Sequence, residues 1–139
     1  MKRPIRDEEL LSSFEDTSLP LSDFHHAEHL RVAFLYLRRY PLLDVLARFP
    51  SALQRYAAAH GKAGLYHQTI SWAFLFIVQE RMAAGGGTNG WEDFAARNLD
   101  LFAGQNAVLG KYYRGQTLGS PAARERFLMP DRWLQDGAI

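Results

Sequence analysis

Phe24-His25-His26-Ala27-Glu28-His29-Leu30 opens the first long apolar stretch of the chain, and its periodicity sets how the rest is read. At about 100° per residue, Ala27, Ala33, Phe34 and Leu37 cluster around Leu30, with Tyr36 and Tyr40 extending the arc. His26 falls at about −40° from Leu30, His29 at about −100° and His25 at about −140° on the same wheel. His26 and His29 therefore project from an apolar helix face one turn apart, while Glu28, Arg31, Arg38 and Arg39 fall on the other side. The spacing predicts a helix over 22–40, capped by Ser22 or Asp23 and stopped by Pro41.

Outward from this stretch, the chain reads as helix throughout. Residues 6–15 carry Leu10, Leu11 and Phe14 on one face, and the Thr17-Ser18-Leu19-Pro20 turn ends them. After Pro41, Leu42, Leu46, Phe49, Leu53, Tyr56 and His60 recur every three or four residues. The stripe runs through Pro50 as one helix kinked there or two short helices joined there, and Gly61 stops it. Tyr66 to Ala84 is apolar almost all round, which places it centrally. Trp91–Asn98 and Leu101–Tyr113 read as shorter helices, the second weakened by Gly104 and Gly110. Ser120 caps a last helix from Pro121 to about Leu128. Gly85-Gly86-Gly87 with Thr88-Asn89-Gly90 reads as a mobile loop or lid hinge. The tail Met129-Pro130-Asp131-Arg132-Trp133 reads as extended and lying back on the body. The expected fold is all-α, an up-down-up bundle of three long helices plus short N- and C-terminal helices. It forms a single helical domain over 1–139, a length sufficient for one core.

Composition narrows the function classes. A net charge of +1 over 139 residues carries no basic bias, so neither nucleic acid nor a membrane surface is expected as a partner. The most apolar run, Trp72 to Val78, is far short of the roughly 20 residues a bilayer span needs. No apolar signal core follows Met1, so a cytoplasmic location is expected. Thirteen arginines against three lysines suggest a bacterial source of high GC content. With no cysteine, disulfides and thiolate ligands are excluded together, and any metal must be held by histidine and carboxylate. No glycine-rich phosphate loop, zinc-protease helix or nucleophile elbow is present.

Short connections between long helices force antiparallel neighbours. The start of the first long helix, the end of the second and the start of the third then share one end of the bundle. Four of the five histidines converge there: His26, His29, His60 and His67. The expectation is a mononuclear metal centre with His26, His29 and His67 as ligands and open positions for water or substrate. The ion would be a divalent transition metal (Fe, Zn, Mn or Cu), which ligand type alone does not choose. Tyr36, His60, Tyr66 and Gln68 are the candidate catalytic or orienting side chains beside it. A small-molecule substrate would enter an aromatic pocket near Tyr36, Tyr66, Trp72 and Trp91.

Phe24 to Leu30 with Ala33 and Leu37, Ala57-Ala58-Ala59-His60-Gly61, Tyr66-His67-Gln68-Thr69-Ile70, and Ser120-Pro121-Ala122-Ala123-Arg124 with Phe127 and Pro130-Asp131 share a further property. Together they resemble a family of small, mostly uncharacterised bacterial all-helical proteins, over residues 24–131. The resemblance implies an F-x-H-x-x-H-L pattern that falls on His26 and His29 and leaves His25 variable. It implies Y-H-E-T in the third segment, where Gln68 here replaces the acid; an acid acting as ligand or proton carrier would be lost. It implies no particular reaction.

Two functions are compatible with these residues. The first is a metal-dependent enzyme, oxidative or hydrolytic. The second is a non-catalytic helical binding or assembly module, as a monomer or a homodimer, whose histidines are satisfied core residues and whose third long helix packs within the bundle or against a second copy. A metal-free acid/base catalyst using His67 and a tyrosine is a further variant.

Overall fold

The computed structural model describes residues 3–85 and 89–132, without the side chains of residues 105 and 106. Gly86, Gly87 and Thr88 of the expected loop, and Trp133 of the tail, lie outside the described residues. Among those described the chain is all-α, with no strand. Eight helices form: α1 (Asp7–Glu15), α2 (His26–Arg39), α3 (Leu42–Ala59), α4 (Gln68–Ala84), α5 (Trp91–Arg97), α6 (Gln105–Leu109), α7 (Gly115–Leu118) and α8 (Pro121–Glu125). Short 3-10 helices fill Leu21–Asp23, Ala63–Leu65 and Leu99–Phe102. The chain divides into two compact units, one ending at Tyr66 and the other beginning at His67.

In the first unit, α1, α2 and α3 pack on one another. Asp7, Glu8 and Glu9 stand in the first turn of α1, where carboxylates complement the positive end of the helix dipole. Leu10, Leu11 and Phe14 turn inward from it. α2 buries five consecutive residues, Val32 to Tyr36, more than a single amphipathic stripe supplies. Arg31, expected on the outer side, is half-buried and tied to the N-terminal segment. Its guanidinium donates to Asp7 Oδ1 at 2.6 and 3.0 Å and to the Ile5 carbonyl at 2.9 Å. α3 is continuous through Pro50 and buries Val45, Leu46, Phe49, Ala52 and Tyr56 along one face. Gly61, at φ 72, ends it as the sequence pattern requires.

The second unit is built on α4, which packs against α6 and α8, with α7 against α8. Leu75, Val78, Leu101, Val108, Leu109 and Tyr113 form its core. The helix expected over Leu101–Tyr113 is instead broken: a 3-10 turn ends at Phe102, and α6 starts only after Gly104. That glycine sits at φ 108, a conformation L side chains rarely adopt and no helix contains. The last helix stops at Glu125, short of the expected Leu128, and α7 has no counterpart in the sequence pattern. Met129 to Arg132 does lie back on this unit: the Asp131 and Arg132 amides both donate to the Tyr112 carbonyl at 3.0 Å.

Candidate functional site

Three of the five histidines, His25, His60 and His67, stand at helix ends, and that position determines what their rings can do. His25 is the N-cap of α2, taking the position expected of Ser22 or Asp23. Its amide donates to Glu28 Oε1 at 2.7 Å, the half of a capping box contributed by the acid three residues on. Glu28 is thereby a capping residue. α2 begins at His26 and not at 22 as the period predicts, so His26 and His29 stand at its very start. His29 is half-buried, its ring stacked on Phe24 with centroids 4.1 Å apart. Removal of this ring from water, with the nearby His26 as a second cause, lowers its pKa to about 4, so it is neutral at pH 7.

Phe24 links that ring to the core. It stacks on Phe14 at 5.2 Å and meets Tyr56 at 4.7 Å, and Tyr56 in turn meets the His60 ring at 4.4 Å. His29 and His60 thus flank one aromatic column. Two of its members hold the turn after α1, where Thr17 stands at φ 67. His60 Nε2 lies 3.0 Å from the Thr17 carbonyl oxygen, and the Tyr56 hydroxyl donates to the Leu19 carbonyl at 2.8 Å. A left-handed, β-branched residue costs on the order of 1–2 kcal/mol, and these bonds hold the turn in that state. His60 is the C-cap of α3 and the support of a strained turn.

His67, in the second unit, is the N-cap of α4. Its Nδ1 accepts the Ile70 amide at 3.1 Å, which fixes the proton on Nε2, and Nε2 donates to the Leu118 carbonyl of α7 at 2.7 Å. The side chain is buried, and backbone groups occupy both ring nitrogens. A ring so engaged has no lone pair for a metal and no free nitrogen for proton transfer.

Tyr36 is buried, its hydroxyl donating to Glu15 Oε2 at 2.6 Å; burial first, and then Glu15, raise its pKa well above the ordinary tyrosine value. Tyr66 is half-buried at the end of the Ala63–Leu65 turn, and half-buried Gln68 is the first residue of α4. Trp72 packs with Phe76 and Phe127, at 6.4 and 5.5 Å, and Trp91 with Phe94 and Phe102, at 5.9 and 5.6 Å.

The three-histidine metal centre of His26, His29 and His67 is therefore corrected. Among the described residues no group of three or more histidines or carboxylates is arranged to hold a metal ion. The physical reason is clearest at His67, whose two nitrogens are committed to Ile70 and Leu118. His26 and His29 belong to the first unit and His67 to the second. The metalloenzyme assignment falls with the centre.

Sequence reasoning missed the residues that organise the second unit. Thr69, fully buried, donates from Oγ1 to the Arg126 carbonyl at 2.8 Å and accepts the Leu128 amide at 3.1 Å. The Tyr113 hydroxyl donates to the Leu128 carbonyl at 2.7 Å. Asp131 accepts the Arg114 amide at 2.9 Å and the Thr117 hydroxyl, so it caps α7 from outside that helix. Those two donors hold its carboxyl below the usual aspartate pKa. Ser120 does cap α8 as expected, its Oγ accepting the Ala123 amide at 3.2 Å. The signal for Thr69 was a polar residue on an apolar helix; nothing local marks the partner of Asp131.

Beside this network, α4 leaves Phe76 exposed, with Trp72 and Phe127 half-exposed against it. Among the described residues no helix is long and apolar enough to cross a membrane. Compared with known proteins, the chain matches no family model, no curated protein and no solved structure.

Proposed function

We propose that the chain is a non-catalytic helical binding or assembly module in which the histidines are structural. The observation that carries this reading is the engagement of both His67 ring nitrogens by backbone groups. The most chemistry-like residue of the sequence is a helix cap on one side and a tie to α7 on the other. The segments behind the family resemblance support the same reading. Tyr66-His67-Gln68-Thr69 contributes the cap and the Thr69 bridge, and Ser120-Pro121 with Asp131 contributes two further caps. These positions are joints of a scaffold.

The form of assembly we propose is self-association, because α4 leaves aromatic side chains on its outer face. Large exposed apolar groups that pack on one another are the usual core of a protein contact. Sedimentation of the wild type and of Phe76→Glu over a wide concentration range tests this. A dimer in the wild type and a monomer in the variant is the expected result. Monomers throughout would remove self-association. Thermal melts with chelator and with added Zn(II) test the broader reading: identical curves are expected, since only a ligand of the native state raises its stability. A melting temperature that falls with chelator would overturn it.

A further inference from the structure

α5 begins at Trp91 with Gly90 as its N-cap, and Asn89 stands immediately before. Both residues are exposed. Among the described residues, the Asn89 side-chain amide donates from Nδ2 to Asp93 Oδ2 at 3.2 Å, at the surface. Its neighbour is glycine, which has no Cβ to shield the main-chain nitrogen from the Asn89 side chain. The space there is open: a Cβ built on Gly90 meets nothing within 4 Å.

Asn98, at the other end of the same helix, is the contrasting case. It is buried, its Nδ2 donates to the Phe94 carbonyl at 2.9 Å, and its Oδ1 accepts Arg81 at 3.0 Å. The residue after it is Leu99, whose side chain crowds the corresponding nitrogen.

We propose that Asn89 is a site of spontaneous deamidation, at which the Asn89-Gly90 link converts to aspartyl and isoaspartyl forms through a cyclic imide. The Gly90 nitrogen attacks Asn89 Cγ, forming a new C–N bond. The Cγ–Nδ2 bond breaks, and ammonia leaves with the proton that Gly90 gives up. Water then adds to one of the two imide carbonyls and reopens the ring. Opening on one side gives aspartate, on the other isoaspartate, and the carboxyl releases a proton at neutral pH. The balance is one ammonia lost and one water gained, with no oxidation.

The consequence falls on the first turn of α5. The new carboxylate stands four residues before Asp93, so a hydrogen bond is exchanged for a like-charge pair. Asp93 keeps its partner Arg97, at 3.1 Å. Isoaspartate also inserts a methylene into the main chain directly ahead of Gly90, shifting the approach to a helix whose Phe94 is buried.

The test is storage of the full chain at pH 8 and 37 °C, followed by peptide mapping and labelling with isoaspartyl methyltransferase, beside Gly90→Ala and Asn89→Gln. The expected result is a peptide spanning Asn89 that gains one mass unit and accepts label, while the peptide spanning Asn98 does not change. Gly90→Ala should slow the gain severalfold with an unchanged melting temperature, because the added methyl has room and Gly90 holds φ −78. Asn89→Gln should abolish the gain. An unmodified Asn89 in the folded chain, under conditions that modify it in urea, would overturn the proposal. So would equal rates in the wild type and Gly90→Ala.

Discussion

Replacement of His67 isolates the two bonds that its ring makes. His67→Ala removes the acceptor for the Ile70 amide and the donor to the Leu118 carbonyl. Loss of an N-cap costs about 1 kcal/mol. Leaving the carbonyl of the buried Leu118 without its donor costs about 1–3 kcal/mol. The sum is about 3 kcal/mol, which for a chain of this size lowers the melting temperature by roughly 10 °C. His67→Asn divides the effect. Asparagine is a good N-cap and keeps the first bond, but its shorter side chain does not span to α7, so about 1 kcal/mol of the loss returns. Urea denaturation of the three proteins measures both steps, and amide exchange at Ile70 reports the cap by itself. If alanine and asparagine variants both fall within 0.5 kcal/mol of the wild type, the ring is not a structural tie, and the scaffold reading fails with it.

Three further perturbations follow from the same geometry. His29 has a folded pKa of about 4 against about 6.5 when unfolded, so the unfolded state takes up the proton first as pH falls. Stability is therefore full above pH about 6.5 and declines by about 3 kcal/mol as the pH passes down towards 4; His29→Gln should lose most of that slope in urea titrations at several pH values, and parallel curves would reject the assignment. Thr17→Gly removes a left-handed, β-branched residue and should stabilise by about 1 kcal/mol, read as a rise in the urea midpoint, whereas a fall would show that the turn is not strained. Thr69→Val keeps the shape of the side chain but strips the Arg126 carbonyl and the Leu128 amide of their partner, for a loss of about 1–3 kcal/mol and faster exchange at Leu128; unchanged exchange there would mean Thr69 does not hold the segment.

What the sequence makes legible here is whatever depends on neighbours along the chain. The 3.6-residue period predicts α2 and α4 to within a few residues, Pro41 and Gly61 bound α2 and α3, and Ser120-Pro121 starts α8. At Pro50 only the stripe is legible: it fits one helix or two short ones equally, and α3 is the continuous one. The break at Gly104 is half-legible: glycine marks the weak point, but whether the chain turns there depends on what Leu101 and Val108 pack against.

The candidate site fails for a more instructive reason. A histidine on an inward helix face satisfies two requirements equally well, that of a metal ligand and that of a cap whose second nitrogen meets a carbonyl. The two differ only in what stands opposite the ring, and for His67 that is Leu118, 51 residues away in sequence. The same holds for Thr69 with Arg126, Tyr113 with Leu128, and Asp131 with Thr117. In each case one member is a backbone group or a hydroxyl whose sequence context carries no signal. Helix ends generate this ambiguity by their nature, because their unsatisfied amides and carbonyls attract the side chains that also make catalytic sites. Three histidines here, His25, His60 and His67, stand at helix ends, and the caps and carbonyl contacts found there account for them. His26 and His29 are the pair that capping does not explain. For His29 the burial against Phe24 supplies the reason: a neutral imidazole at pH 7 stacks as an aromatic ring and extends the column that runs through Phe24 and Tyr56 to His60.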